Sequence, residues 1–203
     1  RKIKGKPLIQ FTIEAAKKSN LIDKIYVSSD SDKILNFAKK MKVNYIKRPK
    51  TISTGKSKTI EAIKHLAKFL RLKKNIIPDY IVILQPTSPL RNSKILDESF
   101  SALEKSNMDC LISLAKDKQT PFKSFLIKDG LVQSLFKESD TNKNRQDLQP
   151  TYRANGAIYT FLISEFLRNE GFPSNASIPF IMSEEESLDI DSYEDLDILK
   201  SRV

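Results

Sequence analysis

The sequence predicts an α/β fold with a mainly parallel sheet and helices on both of its faces. Short β-branched runs alternate with stretches in which apolar residues recur every three or four positions. This alternation stops after Ala115, where a short hairpin pattern begins, and it resumes at Gly156. Regular alternation of strands and helices is typical of parallel sheets covered on both faces. The predicted architecture is therefore Rossmann-like, with one small β-containing insertion.

The first 115 residues predict four strands and three helices. Asp30 or Ser31 is suited to cap the helix after the first strand, because both residues accept hydrogen bonds from free backbone amides. Pro49 ends the second strand and Pro86 ends the third, since proline has no amide hydrogen to donate to a sheet. The predicted strands cover 25–28, 43–46, 80–84 and 110–114, and the predicted helices cover 34–41, 59–72 and 93–105.

The rest of the chain predicts an insertion and a return to the sheet. Asp129-Gly130 separates two short apolar runs and predicts a β-hairpin on a tight turn. Residues 137–149 are polar and predict a loop, a strand resumes at Gly156, and a last helix is expected from Tyr193. We therefore predict a single domain over 1–203, with 116–150 as an insertion that stands off the main sheet.

Composition excludes several classes of protein and of site. The single cysteine, Cys110, excludes an intrachain disulfide and a zinc site of several cysteines, and it begins an apolar strand that should bury it. The single histidine, His65, excludes a histidine cluster and is expected at the surface. The apolar runs are too short to span a bilayer, so no membrane partner is predicted.

The charge balance suggests an anionic partner. Lys and Arg number 35 against 25 Asp and Glu, which leaves a net charge of +10. The basic residues are scattered along the chain and are not interleaved with aromatic residues, as they are in a single-strand binder. We predict no nucleic-acid partner and a mostly solvated basic surface. A nucleic-acid binder stays open as an alternative, and it would show salt-sensitive affinity.

The loop after the strand at 80–84 is the first candidate for chemistry. Ligands of α/β sheets bind outside the carboxyl ends of the strands. Two prolines stiffen this loop and hold polar side chains in set positions. The alternative interpretation is a stiff turn that leads into the helix at Ser93. The polar residues of the loop are Gln85, Thr87, Ser88 and Arg91.

A second candidate cluster precedes the strand that resumes at Gly156. Arg145 and Arg153 are suited to bidentate recognition of carboxylate or phosphate, and Gly156 allows a ligand to approach the backbone. Asn155 and Tyr159 lie beside them in the chain. An ordinary loop with surface arginines is the alternative.

Asp189 and Asp191 form the third candidate. On an extended segment, residues two apart share a face, which places these carboxylates about 6–7 Å apart. Carboxylate oxygens suit Mg²⁺, which shares its shell with water and substrate phosphates. The alternative is a capping box formed by Asp191 and Glu194. The Gly55-Lys56-Ser57 sequence is not a P-loop, because the glycine that this motif needs four residues earlier is absent.

Together these stretches resemble the N-acylneuraminate cytidylyltransferase family, also called CMP-sialic acid synthetases. The resemblance covers essentially the whole chain, and the stretches at 84–91 and 155–159 are its most specific parts. The matching stretches, in family order, are Gly5-Lys-Pro-Leu-Ile9, Phe11-Thr-Ile-Glu14, Val27-Ser-Ser-Asp30, Arg48-Pro49, Leu84-Gln-Pro-Thr-Ser-Pro-Leu-Arg91, Pro121-Phe-Lys123, Arg145-Gln-Asp-Leu148, Arg153-Ala-Asn-Gly-Ala-Ile-Tyr159 and Leu188-Asp-Ile-Asp191.

The resemblance implies a nucleotidyltransferase fold and a cytoplasmic enzyme that forms a CMP-sugar and pyrophosphate from CTP and a nonulosonic acid. It implies that Asp189 and Asp191 are catalytic and hold Mg²⁺, and that Arg145 pairs with the sugar carboxylate. It also implies a homodimer in which 116–150 reaches the partner subunit. The other implied sugar contacts are Gln85, Lys123, Arg153, Asn155 and Tyr159, and the implied nucleotide contacts are Arg48, Ser57 and Thr59.

Two departures from the family pattern leave alternatives open. The family's basic phosphate loop, Ala-Arg-x-Gly-Ser-Lys, and the first strand of the sheet belong before Arg1, so we expect an N-terminally incomplete chain. Gly55-Lys56 stands where the family commonly has Asp-Thr. Legionaminic acid and Kdo are alternative substrates. A non-catalytic module that binds a sugar acid without the nucleotide loop is an alternative function.

Overall fold

The computed structural model of the chain describes residues 2–169 and 176–203, and within them ten strands and seven helices. The strands are β1 (Lys2–Ile3), β2 (Lys6–Pro7), β3 (Tyr26–Ser29), β4 (Asn44–Lys47), β5 (Tyr80–Ile83), β6 (Cys110–Lys116), β7 (Phe125–Lys128), β8 (Leu131–Ser134), β9 (Tyr152–Leu162) and β10 (Ile178–Ile181). The helices are α1 (Leu8–Lys18), α2 (Asp32–Lys40), α3 (Thr59–Phe69), α4 (Ser93–Glu104), α5 (Glu138–Thr141), α6 (Ile163–Asn169) and α7 (Tyr193–Arg202).

The largest sheet has the strand order β10-β6-β9-β5. Strands β5, β6 and β10 run in the same direction, as predicted, whereas β9 runs antiparallel to both of its neighbours. The direction of β9 follows from the insertion. The chain leaves at the end of β6 and returns beside it, where the Asp117 amide donates to the Thr151 carbonyl at 2.9 Å. A chain that returns at the edge it left, without a crossover, must pair antiparallel.

A second, two-stranded sheet pairs β3 with β4 in parallel. Helix α2 makes the crossover between them, and its buried Ala38 packs against Val27 of β3 and Ile13 of α1. The predicted strands at 25–28 and 43–46 are therefore confirmed, each displaced by one residue.

Helices cover both faces of the larger sheet, as predicted. Successive residues of a strand point to opposite faces, and accordingly Leu111 packs on the side of α1 and α4, whereas Cys110 packs on the side of α3 and α6. The first side contains Ala15, Ile95, Leu96, Leu103, Ala157 and Ile158, and the second contains Ile63, Phe161, Ile163 and Phe166. Among the described residues, no helix is long and apolar enough to cross a membrane.

The excursion between β6 and β9 contains the predicted hairpin, in which β7 pairs antiparallel with β8. The polar stretch after it is not the loop we expected, because it forms α5 and a short 3₁₀ turn at Arg145–Asp147. The rings of Phe122 and Phe136 lie 5.0 Å apart at the base of the hairpin. The hairpin itself presents exposed apolar side chains, among them Ile127, Leu131 and Val132.

Two smaller expectations need correction or confirmation. His65 is half-buried rather than at the surface, and its Nδ1 atom is buried without a hydrogen-bond partner. Cys110 is buried as predicted, and the loss of solvent around its thiol raises the pKa to about 11. The thiol is therefore protonated at neutral pH and is no nucleophile.

Candidate active site

The loop after β5 is held by the buried side chain of Arg91. Its guanidinium donates to the Ala157 carbonyl of β9, to the Thr12 hydroxyl at 2.9 Å and to the Gln85 carbonyl at 3.1 Å. Burial lowers the pKa of Arg91 to about 10, so the group stays charged at neutral pH. Arg91 therefore fixes the start of the loop against β9, and the stiff turn that the prolines predict has a specific buried anchor.

Gly156 brings three elements together at the carboxyl end of β5. Its backbone has φ +73°, and a Cβ atom built there would lie 2.6 Å from Oε1 of Gln85 and 3.8 Å from Oδ2 of Asp189. Gln85 therefore occupies the space that a side chain at position 156 would fill. Gln85 and Asp189, predicted from separate stretches of sequence, line one small region.

The segment that carries Asp189 and Asp191 is anchored on both sides. The Ile190 amide donates to the Thr87 carbonyl at 2.8 Å, and the Ile190 side chain is buried against α7. Asp189 is half-buried and Asp191 is exposed. Because Ile190 points into the core, its two neighbours on an extended chain point away from the core, and Asp189 lies close to Gly156.

The capping box that we considered for Asp191 and Glu194 is wrong. Ser192 is the N-cap of α7, and its hydroxyl accepts from the Asp195 amide at 3.2 Å. The Asp195 carboxylate accepts in return from the Ser192 amide at 2.8 Å. The box lies one residue later than the sequence pattern suggested. Serine caps a helix as well as aspartate does, so the sequence alone does not decide between Asp191 and Ser192. The Asp191 carboxylate is thus not used as the cap.

The chemistry of the two carboxylates suits Mg²⁺. Oδ1 of Asp189 is buried and has no hydrogen-bond partner, which is costly for a carboxylate oxygen unless a ligand occupies it. Within the described residues, no group of three or more His, Cys, Asp or Glu side chains could hold a metal. Two carboxylates fit a magnesium ion that takes its other ligands from water and from phosphates.

Tyr159 lies beside this carboxylate. Burial, and next the negative charge of Asp189, raise the pKa of its phenol above the ordinary value. The phenol is therefore protonated at neutral pH.

Asn155 is buried, and its amide is bonded within the protein. Its carbonyl oxygen accepts from the Ser113 hydroxyl at 2.6 Å, and its NH₂ group donates to the Ser187 hydroxyl at 2.9 Å. The structure thus places Asn155 behind the site, where it joins β6 to the segment that carries Asp189.

The predicted basic sugar contacts lie around the insertion rather than beside Gln85. Arg153 contacts Asp117 at 3.5 Å at the base of the excursion. Lys123 ends a 3₁₀ turn before β7, and Arg145 is exposed at the start of another. Within the part of the chain that the structure describes, no hydrogen bond or ion pair joins Lys123 or Arg145 to Gln85, Gly156 or Asp189.

The predicted nucleotide contacts follow β4, the last strand of the second sheet. Arg48 follows β4, where its amide donates to the Ser29 carbonyl at 2.8 Å and its Nε atom is buried without a partner. Ser57 accepts from the Thr54 amide at 3.0 Å, and Thr59 is the exposed first residue of α3. All three follow the carboxyl end of β4, the edge at which the sequence predicts a ligand.

Two residues support the site from buried positions that the sequence does not predict. Arg91 is a sequence candidate for the polar rim of the loop after β5, but the structure makes it the buried anchor of that loop, and Ser113 is not a sequence candidate. Ser113 has a sequence signal, because it is a polar residue that interrupts the apolar run Cys110-Leu-Ile-Ser-Leu-Ala115, whereas Arg91 lies among polar residues and has no such signal. Such residues are bonded when buried, but the sequence does not name the partner.

A sequence model of the family described as cytidylyltransferase matches residues 1–196 of this chain. The chain belongs to the cytidylyltransferase family. It is 31% identical over 198 residues to the N-acylneuraminate cytidylyltransferase of Escherichia coli, in a match that covers 95% of this chain. It is 30% identical over 203 residues to the CMP-N,N'-diacetyllegionaminic acid synthase of Legionella pneumophila, of which it covers 83%.

The cytidylyltransferase chain spans only 45% of the length of the Escherichia coli relative. Among solved structures it is similar to a 4-diphosphocytidyl-2C-methyl-D-erythritol synthase, with a TM-score of 0.71 and 12% identity, over 99% of this chain and 92% of the other. At that identity the likeness concerns the fold alone, and it agrees with the nucleotidyltransferase type that the resemblance implied.

Proposed function

We propose that this chain transfers the CMP group of CTP to a nonulosonic acid and releases pyrophosphate. The observation that carries the proposal is the buried, unpartnered oxygen of Asp189 beside Gln85 and Gly156. Membership of the cytidylyltransferase family and the relatives that are named for sialic and legionaminic acids support it.

The proposed reaction is an in-line displacement at the α-phosphorus. The anomeric hydroxyl oxygen of the sugar acid forms the new bond to phosphorus, the bond from phosphorus to the pyrophosphate oxygen breaks, and the hydroxyl proton passes to solvent water. Positioning and neutralisation of charge carry such a step, and no cysteine or histidine nucleophile is needed. The buried Cys110 thiol and the half-buried His65 play no part in it.

The roles follow from where each side chain lies. Gln85, which occupies the space beside Gly156, shapes the sugar pocket, and the protonated Tyr159 phenol lies at its edge. Asp189 and Asp191 would hold Mg²⁺, which when bound neutralises phosphate charge and makes the attacked phosphorus a better electrophile. Arg48, Ser57 and Thr59 are assigned to the nucleotide side.

The basic residues near the insertion are assigned to the sugar acid. In the proposal, Arg145 pairs with its carboxylate, while Lys123 and Arg153 add positive charge around it. Since Lys123 and Arg145 lie on the excursion, they reach a sugar pocket only if the excursion approaches one, in the same subunit or in a second one.

The proposal includes a homodimer and a cytoplasmic location. The exposed apolar hairpin of β7 and β8 supports the dimer, because apolar side chains concentrated on one projecting element mark contact surfaces. The nucleotide substrate, CTP, is a cytoplasmic metabolite.

The deciding experiment is pyrophosphate release from CTP and Mg²⁺, with full-length protein, across a panel of sialic, legionaminic and Kdo-type acids. We expect stimulation by nonulosonic acids and a loss of turnover of at least about 100-fold in Asp189→Asn. Asp197→Asn, which changes an exposed carboxylate on α7, is the matched control and should retain activity.

Each other outcome contradicts part of the proposal. Failure of every sugar acid to stimulate release would overturn the reaction. Saturable binding of a sugar acid without release would instead favour the non-catalytic module, and retention of full activity by Asp189→Asn would remove that carboxylate from the mechanism.

A further inference from the structure

Strand β9 leaves its regular pairing with β6 at the site. Ile112 pairs with Tyr159 and Leu114 pairs with Ala154, so the single residue Ser113 lies opposite the four residues 155–158. Gly156, with its positive φ, lies inside this bulge. Bulges of this kind redirect side chains, and they leave backbone groups that need other partners.

The Ser113 hydroxyl provides a partner for one backbone amide of the bulge. It is fully buried, accepts from the Ile158 amide at 2.7 Å and donates to Oδ1 of Asn155 at 2.6 Å. Since a hydroxyl has one proton, acceptance from the backbone leaves that proton for Asn155. Oδ1 of Asn155 also accepts from the Ala157 amide at 3.2 Å.

These bonds fix which way the Asn155 amide faces. With Oδ1 turned toward Ser113, the NH₂ group faces the Ser187 hydroxyl at 2.9 Å and the Met182 sulfur at 3.3 Å. Ser187 then donates its own proton to the Ser183 carbonyl at 2.7 Å. Every proton in this series of hydrogen bonds has one acceptor. The order of donors and acceptors is therefore fixed from β6 to the 183–191 segment.

We propose that Ser113 is a positioning residue, which orients the Asn155 amide and through it the 183–191 segment that carries Asp189. Asn155 connects Ser113 to Ser187 through its two hydrogen bonds, and this role does not require contact with the sugar. The effect reaches the site because Asp189 lies two residues after Ser187 and beside Gly156, on the other side of the bulge. The activity readout of this inference rests on the proposed function.

The test compares Ser113→Ala with Ser99→Ala. Ser99 is equally buried, but its hydroxyl donates to the Leu96 carbonyl within α4. We expect hydrogen–deuterium exchange of the 183–191 peptide to be about tenfold faster in Ser113→Ala and unchanged in Ser99→Ala. We also expect the Mg²⁺ concentration for half-maximal pyrophosphate release to rise about tenfold in Ser113→Ala alone.

A second variant keeps the test decisive if Ser113→Ala does not fold. Ser187→Ala removes the hydroxyl that accepts from Asn155, and it should accelerate exchange in the same peptide. If both variants fold, the double variant should exchange no faster than the faster single variant, because both changes break one chain of bonds.

Exchange of 183–191 at the wild-type rate in Ser113→Ala or in Ser187→Ala would overturn the positioning role, and so would exchange in the double variant that multiplies the two single effects. If the wild-type protein releases no pyrophosphate with any sugar acid, the proposed function fails, while the exchange rates still decide the role of Ser113.

Discussion

Gly156 and Gly130 form a natural pair of residues for a test of the site. Both have positive φ, of +73° and +77°, so an alanine side chain at either position strains the backbone in the same way. They differ in what the new methyl group would meet. At Gly130 nothing lies within 4 Å, whereas at Gly156 the methyl group would meet Oε1 of Gln85 at 2.6 Å.

We predict that Gly156→Ala and Gly130→Ala each lower the free energy of unfolding by about 1 kcal/mol. Only Gly156→Ala should lower kcat for pyrophosphate release, by about tenfold or more, because the methyl group displaces Gln85. Denaturant unfolding and steady-state kinetics on both variants check this. Equal activity in the two variants would show that Gln85 is not held in a productive position by the space at Gly156.

At the scale of single residues, the sequence proposes candidates where a stretch carries its own chemistry. Gln85 and the Asp189–Asp191 pair are candidates because a polar loop follows a strand and two carboxylates share one face, and the structure brings Gln85 and Asp189 close to Gly156. The environment of Asn155 could not be found, since its partners Ser113 and Ser187 come from distant parts of the chain. The capping position was displaced by one residue because Ser192 and Asp191 are both suitable caps.

At the scale of elements, Asp97 joins α4 to the end of α1. Its carboxylate accepts from the Ser19 hydroxyl, from the Asn20 amide at 3.1 Å and from the Asn20 side chain at 3.1 Å. Burial acts to raise the pKa of Asp97, but the hydrogen bonds from Ser19 and Asn20 outweigh it, and the pKa lies below the ordinary value of 3.8. The charged form is therefore favoured in the folded protein.

We predict that Asp97→Asn lowers the free energy of unfolding by about 1 kcal/mol at neutral pH. Because the folded-state pKa is depressed, the contribution of Asp97 is complete above the unfolded value and is lost as the pH falls below 3.8 through the folded value. The difference between wild type and variant should accordingly shrink in that range, as measured by urea unfolding at several pH values.

Glu98→Gln is the matched control for Asp97, because Glu98 faces Lys94 at 3.7 Å on the exposed side of the same helix. It should leave stability within about 0.5 kcal/mol of wild type. A loss in Asp97→Asn that stays constant down to pH 2 would contradict a role for the charge.

The positions of most elements followed from local patterns, but the direction of β9 did not. Periodicity places β3, β4, β5 and β6 within one or two residues, since each strand is short and bounded by proline or polar residues. Pairing is a property of two distant segments, and the insertion between β6 and β9 decides it. The same insertion hid α5, whose four residues are too few to show a period.

At the scale of the whole molecule, the hairpin of β7 and β8 exposes apolar side chains. Ile127 and Leu131 are 81% and 73% exposed, and β7 and β8 pair only with each other among the described strands. A two-stranded hairpin is marginally stable by itself. A second copy of the chain would cover these side chains and stabilise the hairpin, as the proposed homodimer requires.

We predict that Ile127→Lys shifts the protein from dimer to monomer, because a charge would have to be buried in the interface. Analytical ultracentrifugation at micromolar concentration measures the change, which we expect to be at least about tenfold in the dissociation constant. Leu72→Lys is the control, since Leu72 is 65% exposed on the π-helical turn after α3, away from the hairpin. A dimer that survives Ile127→Lys but dissociates with Leu72→Lys would place the interface on the turn after α3 instead. A wild-type protein that stays monomeric would leave Lys123 and Arg145 to serve a site in their own subunit.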